Sequence, residues 1–257
     1  MLNKFKMEDC KPILTLMVTG CKLSIDNSSK DVDQRLYRSM IGSLLYVTTS
    51  RPDVMQAFGQ VSRFRATPKE SHIIVVKKIL QYLKGTEEYG LWYPKGNNLI
   101  IQAFTDADWA GSVDDRKSTS GATFYLGGCL VSWLSKKQTS ISLSTTEAEY
   151  IVATSCCTQV LWMKQNLQDL QVQFSEPIPI FCDNTSAINI SKNHVMHSKT
   201  KHIPIKYHFV REQVAEKNIK LEYVCTKEKI VDIFTKYLPH EEFEYLHQNL
   251  GILPSSH

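Results

Sequence analysis

Apolar positions along the chain change their period once. From Asp31 to Phe64 they recur at three- and four-residue steps (Tyr37, Met40, Ile41, Leu44, Leu45), which predicts an amphipathic helix. Arg51-Pro52-Asp53 breaks it, because proline disfavours helical backbone in the residue before it. A second helix carries Val54, Ala57, Phe58 and Val61. A third opens at Pro68 and runs from Lys69 to Lys84, with Ile73, Val76, Ile79, Leu80 and Leu83 on one face and Gly85 as its stop. Near Tyr89 the pattern turns to strands: 89–93, 99–105, 121–126 and 129–134, the last two joined by Gly127-Gly128, a pair suited to a two-residue hairpin turn. There follow a helix from Ser144 to Leu167, a strand (178–182), a short helix (185–191), a polar loop and a helix at 205–216. A strand (219–225) and a closing helix from Lys229 complete the series. Three consecutive strands and then alternating helices and strands predict a mixed α/β fold, a sheet with helices on its faces. The expected organisation is an irregular arm (1–30), a helical segment (31–95), a mixed α/β domain (96–240) and a tail (241–257).

Composition adds little to this picture. Apolar residues at 42% and charged residues at 22% exclude a disordered, collagen-like or coiled-coil chain. No apolar run approaches the roughly 18 residues that cross a bilayer, so no membrane partner is expected. A net charge of +4 permits a nucleic-acid partner without demanding one. Seven cysteines, an odd number without repeating spacing, read as reduced thiols of an intracellular protein, cytoplasmic or nuclear. Val18-Thr19-Gly20-Cys21 resembles a lipoprotein cleavage site, but Glu8, Asp9 and Lys11 interrupt the approach and the apolar core is short, so no signal peptide is expected.

Candidate chemistry lies in acidic residues at the predicted strand ends and helix starts, where sheets of this kind gather functional side chains. Asp106 and Asp108 end one strand, Asp183 ends another, Glu147 and Glu149 begin a helix, and Asp232 sits in the last helix. Drawn together, such carboxylates would make an oxygen-only site for Mg²⁺ or Mn²⁺. Taken singly, each is equally an N-cap, a turn residue or a solvated charge.

A set of ordered motifs bears on that choice. Met7-Glu8-Asp9-Cys10-Lys11-Pro12, Tyr37-Arg38-Ser39-Met40-Ile41-Gly42-Ser43-Leu44-Leu45-Tyr46, Arg51-Pro52-Asp53 and Ile79-Leu80-Gln81-Tyr82-Leu83-Lys84-Gly85-Thr86 come first. Thr105-Asp106-Ala107-Asp108-Trp109-Ala110-Gly111, Ser144-Thr145-Thr146-Glu147-Ala148-Glu149-Tyr150, Cys182-Asp183-Asn184, Thr200-Lys201-His202-Ile203 and Val231-Asp232-Ile233-Phe234-Thr235-Lys236 follow. Nearly end to end, the chain resembles the C-terminal part of the Pol polyprotein of copia-type LTR retrotransposons: the end of the reverse transcriptase and its connection segment, then the RNase H domain. The resemblance implies an RNase H-like fold, a five-stranded mixed sheet flanked by helices and preceded by a small helical segment. It implies an endonuclease that cuts the RNA strand of RNA–DNA hybrids by two-metal-ion catalysis, with Mg²⁺, or Mn²⁺ in its place, as cofactor.

The family's Asp-Glu-Asp-Asp set falls on Asp106, Glu149, Asp183 and Asp232. Glu147 and Glu149 point to nearly opposite helix faces at about 100° per residue. Ser144-x-x-Glu147 fits a capping box, whereas the face of Glu149 continues through Ala153, Cys156 and Val160, which suits a wall against the sheet. Glu149 is therefore the expected ligand, with Asp108 a weaker candidate. Lys199, Lys201, His202 and Arg211, in a basic stretch, are candidate contacts to nucleic-acid backbone. The histidines of that stretch (194, 197, 202 and 208) are too loosely spaced for a zinc site.

The chain also departs from the family. Asn193-His194, Pro204 and the residues before Asp232 differ from the usual pattern. The palm with its paired catalytic aspartates is missing, which predicts a truncated product without reverse transcriptase activity. A polymerase domain is an expected partner. The alternative reading is a silent remnant that only binds nucleic acid or protein.

Overall fold

A computed structural model describes residues 1–16, 23–25, 28–95, 98–193, 203, 205–225 and 229–255. The chain forms two compact units. The first comprises Met1–Trp92, Ser112–Asp115 and Lys236–His257; the second comprises Tyr93–Gly111 and Arg116–Thr235.

Three helices, α1 (Gln34–Val47), α2 (Met55–Val61) and α3 (Glu70–Gly85), build the first unit where their apolar periods place them. Asp33 caps α1, its carboxylate accepting from the Arg35 N–H at 2.8 Å. Tyr37, Leu44, Val54, Val61, Val76, Ile79 and Leu80 are buried against one another. Beneath them Arg51 and Asp53 form a buried bidentate pair (3.0 and 2.6 Å), and Tyr82 donates to the same carboxylate at 2.7 Å. Part of the expected arm belongs to this core: Met7 and Leu16 are buried in it.

The strand expected at 89–93 is shorter, β1 (Tyr89–Leu91), and lies outside the large sheet. It pairs antiparallel with a closing strand, Ile252–Pro254, which follows a helix at His240–Asn249. The stretch expected as a tail thus supplies ordered elements to the first unit. The two short partners stand far apart in sequence, and neither carries an alternation long enough to announce its pairing.

The second unit is a five-stranded mixed sheet with helices. Its strands are β2 (Ile101–Asp108), β3 (Thr119–Leu126), β4 (Cys129–Lys137), β5 (Ile178–Cys182) and β6 (Ile219–Tyr223), in the order β4-β3-β2-β5-β6. The β2–β3 and β3–β4 pairs are antiparallel; β2–β5 and β5–β6 are parallel. Gly127 and Gly128 turn the β3–β4 hairpin with φ of 60° and 80°, the left-handed conformations that a two-residue turn of this type requires. The long helix α4 (Thr145–Asp169) lays Ala153, Cys156, Cys157 and Val160 on Ala103, Ala122, Phe124 and Ile180 of the sheet. Two further helices, α5 (Thr185–Lys192) and α6 (Phe209–Ala215), complete the unit. The closing helix expected from Lys229 is instead a 3-10 turn, Ile230–Phe234.

Candidate active site

The topology of the second unit brings the strand-end acids together. Because β2 and β5 are parallel neighbours, their carboxyl ends lie at one edge of the sheet. Phe104 is in register with Phe181, so Asp106 and Asp183, each two residues further along, stand side by side. Helix α4 supplies the third acid. Ser144 starts it as N-cap, accepting from the Glu147 N–H at 3.2 Å, while the Glu147 carboxylate takes the Leu143 N–H at 2.7 Å. Two residues on, Glu149 faces the opposite way and is buried against the sheet: the Ala107 N–H donates to its Oε1 at 3.0 Å, and the Cys182 thiol to its Oε2 at 3.8 Å.

At the centre of these acids lies Lys229, the first of the residues before Asp232 at which the chain departs from the family's pattern, and one of which no site role was expected. The Lys229 ammonium, with 1% of its side-chain surface exposed, donates to Asp106 Oδ1 and lies 2.8 Å from Asp183 Oδ1 and 3.8 Å from Glu149 Oε1. The Thr235 hydroxyl donates to the second oxygen of Asp106. Lys229 and Thr235 bracket the 3-10 turn that also carries Asp232, which is buried. Gly121 makes room for that turn. It faces Asp106 across the β2–β3 ladder, and a Cβ there would come within 2.6 Å of Thr235 Cγ2 and 3.1 Å of Phe234 Cβ.

Electrostatics follow from this crowding. Burial, reinforced by the charges of Asp106 and Asp183, pushes the Glu149 carboxyl up to about 8, against the pull of Lys229 and the Ala107 N–H. Glu149 therefore keeps its proton to higher pH than an ordinary glutamate, and the closest ionic contacts of Lys229 are to Asp106 and Asp183. Burial would lower the lysine, but the carboxylates of Asp106 and Glu149 and the hydrogen bonds to Asp106 and Asp183 outweigh it and hold the ammonium above its usual range. Burial and Glu149 push the Cys182 thiol up to about 12, which leaves it protonated and a poor metal ligand. Glu149, Cys182 and Asp183 offer donor atoms within 4.8 Å of one another. The three carboxylates fit a hard divalent cation, and a cation of the protein's own already stands among them.

The other sequence candidates fall elsewhere. Asp108 closes β2 on the same face as Asp106, but its carboxylate folds over Gly111, where a Cβ would lie 1.8 Å from Oδ2. Arg211, expected to contact nucleic acid, is buried: its Nε donates to the Ile190 carbonyl at 3.0 Å and its guanidinium carbon lies 6.0 Å from the centre of the Tyr150 ring. As placed, it joins α5 to α6. His208 meets the Tyr150 hydroxyl at 3.2 Å, and burial, with the Arg211 charge beside it, lowers its pKa. Lys199, Lys201 and His202 lie outside the described residues. The signal at Lys229 was the departure from the family's pattern before Asp232, which by itself did not place a cation among the acids. Thr235 belongs to the closing motif 231–236, but no role was expected of its hydroxyl.

No protein-family model matches the chain. Three curated proteins match 98% of it: the Retrovirus-related Pol polyproteins from transposons RE2 (37% identical) and RE1 (38%) of Arabidopsis thaliana, and that from transposon TNT 1-94 of Nicotiana tabacum (39%). The chain spans 17 to 19% of the length of these relatives. Among the described residues, no helix is long and apolar enough to cross a membrane.

Proposed function

Because the chain belongs to the Pol polyproteins of copia-type retrotransposons, of which it is a segment, we propose that its second unit is an RNase H-type nuclease that hydrolyses the RNA strand of RNA–DNA hybrids. The observation that carries this reading is the gathering of Asp106, Glu149 and Asp183, from two strands and a helix, around one cation. The strand order, three antiparallel strands followed by two parallel additions, supports an RNase H-like fold. In this reading Asp106, Glu149, Asp183 and Asp232 would hold Mg²⁺, or Mn²⁺ in its place, which would supply activation of water and stabilisation of the departing 3′ oxygen. The remaining groups position the acids. Thr235 fixes the rotamer of Asp106, the Ala107 N–H aims Glu149 at the sheet edge, and Asn184, which caps α5 through the Ala187 N–H at 2.9 Å, anchors the chain just beyond Asp183. Selection of RNA rests on its 2′-hydroxyls and the shape of the hybrid, and a polymerase domain is the partner that delivers it.

The test is a gel assay on an end-labelled hybrid. Cleavage of the RNA strand with Mg²⁺, lost with EDTA and in Asp106→Asn and absent for single-stranded DNA, is the expected result. Binding without cleavage from neutral to mildly alkaline pH refutes it. That outcome belongs to a second reading, a silent binding module, which the presence of Lys229 among the acids favours.

A further inference from the structure

Lys229 has no task in hydrolysis as described, yet it is the most deeply engaged cation of the second unit's site. Its ammonium meets all three gathered carboxylates, and its side chain is almost wholly withdrawn from solvent. A buried lysine with such partners is where electrostatics alone would put positive charge, since it offsets the mutual repulsion of the acids. The arrangement has a steric consequence. A Mg²⁺ ion needs oxygens at about 2.0–2.1 Å, arranged around itself. The oxygens of Asp106 and Asp183 that face the ammonium cannot turn to a divalent ion at the same point while the ammonium remains, and two cations sharing those oxygens repel each other. Resting on the nuclease reading of this site, we propose that Lys229 is a built-in competitor for divalent metal: its ammonium occupies the cation position among Asp106, Glu149 and Asp183, and metal binds only by displacing it.

Three features agree. The lysine opens the same 3-10 turn that carries Asp232, so the competitor and a fourth prospective ligand move on one short segment. The bonds that it makes are ionic and exchangeable. The Ala107 N–H that supports Glu149 belongs to β2, apart from the lysine's own turn, so that acid keeps its support when the lysine leaves.

The experiment compares the full chain with Lys229→Gln, which keeps much of the length and removes the charge, and with Lys229→Arg, which keeps the charge. Mn²⁺ binding is followed by electron paramagnetic resonance, and thermal melts are recorded in EDTA and in Mn²⁺. Lys229→Gln is expected to bind Mn²⁺ at least tenfold more tightly than the parent, to melt lower in EDTA and to recover with the metal. The parent and Lys229→Arg are expected to bind weakly and to melt alike in both. Equal Mn²⁺ affinity in parent and Lys229→Gln, whether tight or undetectable, overturns the proposal, as does weaker binding by the variant. The two readings fail separately. Equal, tight binding that Asp106→Asn abolishes, with hybrid cleavage intact, sinks the competitor and leaves the nuclease standing. Tighter binding by Lys229→Gln without cleavage by any variant does the reverse.

Discussion

Glu149→Gln offers the most direct reading of the site's electrostatics, because it replaces a carboxyl whose proton the fold retains to unusually high pH with a neutral group of the same size. In the unfolded chain Glu149 loses its proton near the ordinary glutamate value of about 4.3. In the fold, burial and the neighbouring aspartates delay that loss to about 8. Between those values the folded state holds a proton that the unfolded state has released, so this group's contribution to stability falls as pH rises, by up to about 1.4 kcal/mol per pH unit, and levels off above the folded value. Across pH 5 to 8 the accumulated loss is on the order of 3–4 kcal/mol, and a glutamine at that position contributes none of it. Denaturant unfolding in EDTA, followed by tryptophan fluorescence, reads the difference where it arises, since Trp109, Trp133 and Trp162 all belong to the second unit. Glu149→Gln is expected to differ least from the parent near pH 5 and to become progressively more stable than it toward pH 8. It is also expected to lose hybrid cleavage. Glu147→Gln serves as the control: its side chain still accepts the Leu143 N–H, so its curve should follow the parent within a few tenths of a kcal/mol and cleavage should survive. Parallel pH curves for the parent and Glu149→Gln would refute the burial argument, and an inactive Glu147→Gln beside an active Glu149→Gln would reverse the helix phase.

Gly121→Ala puts a methyl group into Thr235 and Phe234, so the 3-10 turn must move away from Asp106; we expect a loss of about 1–3 kcal/mol in denaturant unfolding, together with impaired hybrid cleavage, and an unchanged variant would show that the turn is not fixed by that contact. Asp53→Asn leaves the buried Arg51 without its counter-charge and should cost about 3–5 kcal/mol in the first unit. Burial alone would raise Asp53, but hydrogen bonds and charge from His247 and Arg51 hold it well below the usual carboxylate range. Its contribution is therefore complete above the unfolded value of about 3.9 and lost only as pH falls below it. An acid-unfolding profile that matches the parent's in Asp53→Asn would remove that network from the account.

Much of this protein was written locally. The three- and four-residue periods of α1 and α3, the capping serine of α4, the paired glycines between β3 and β4 and the acids at the ends of β2 and β5 are each decided within a few residues, by burial of one face or by the backbone freedom of glycine. Even the choice between Glu147 and Glu149 as the acid that joins Asp106 and Asp183 needed only the phase of a helix. Tertiary structure decided the rest. The β1 strand found its partner at Ile252–Pro254 because the chain returns there, not because three residues of either segment prefer it. Arg211 turned inward to the Ile190 carbonyl although its basic surroundings read as a surface. Lys229 entered a site whose first acid lies 123 residues away. A hydrophobic period is a property of a segment, whereas the position of a buried charge is set by the sum of all the charges that the topology gathers around it, and no stretch of sequence contains that sum.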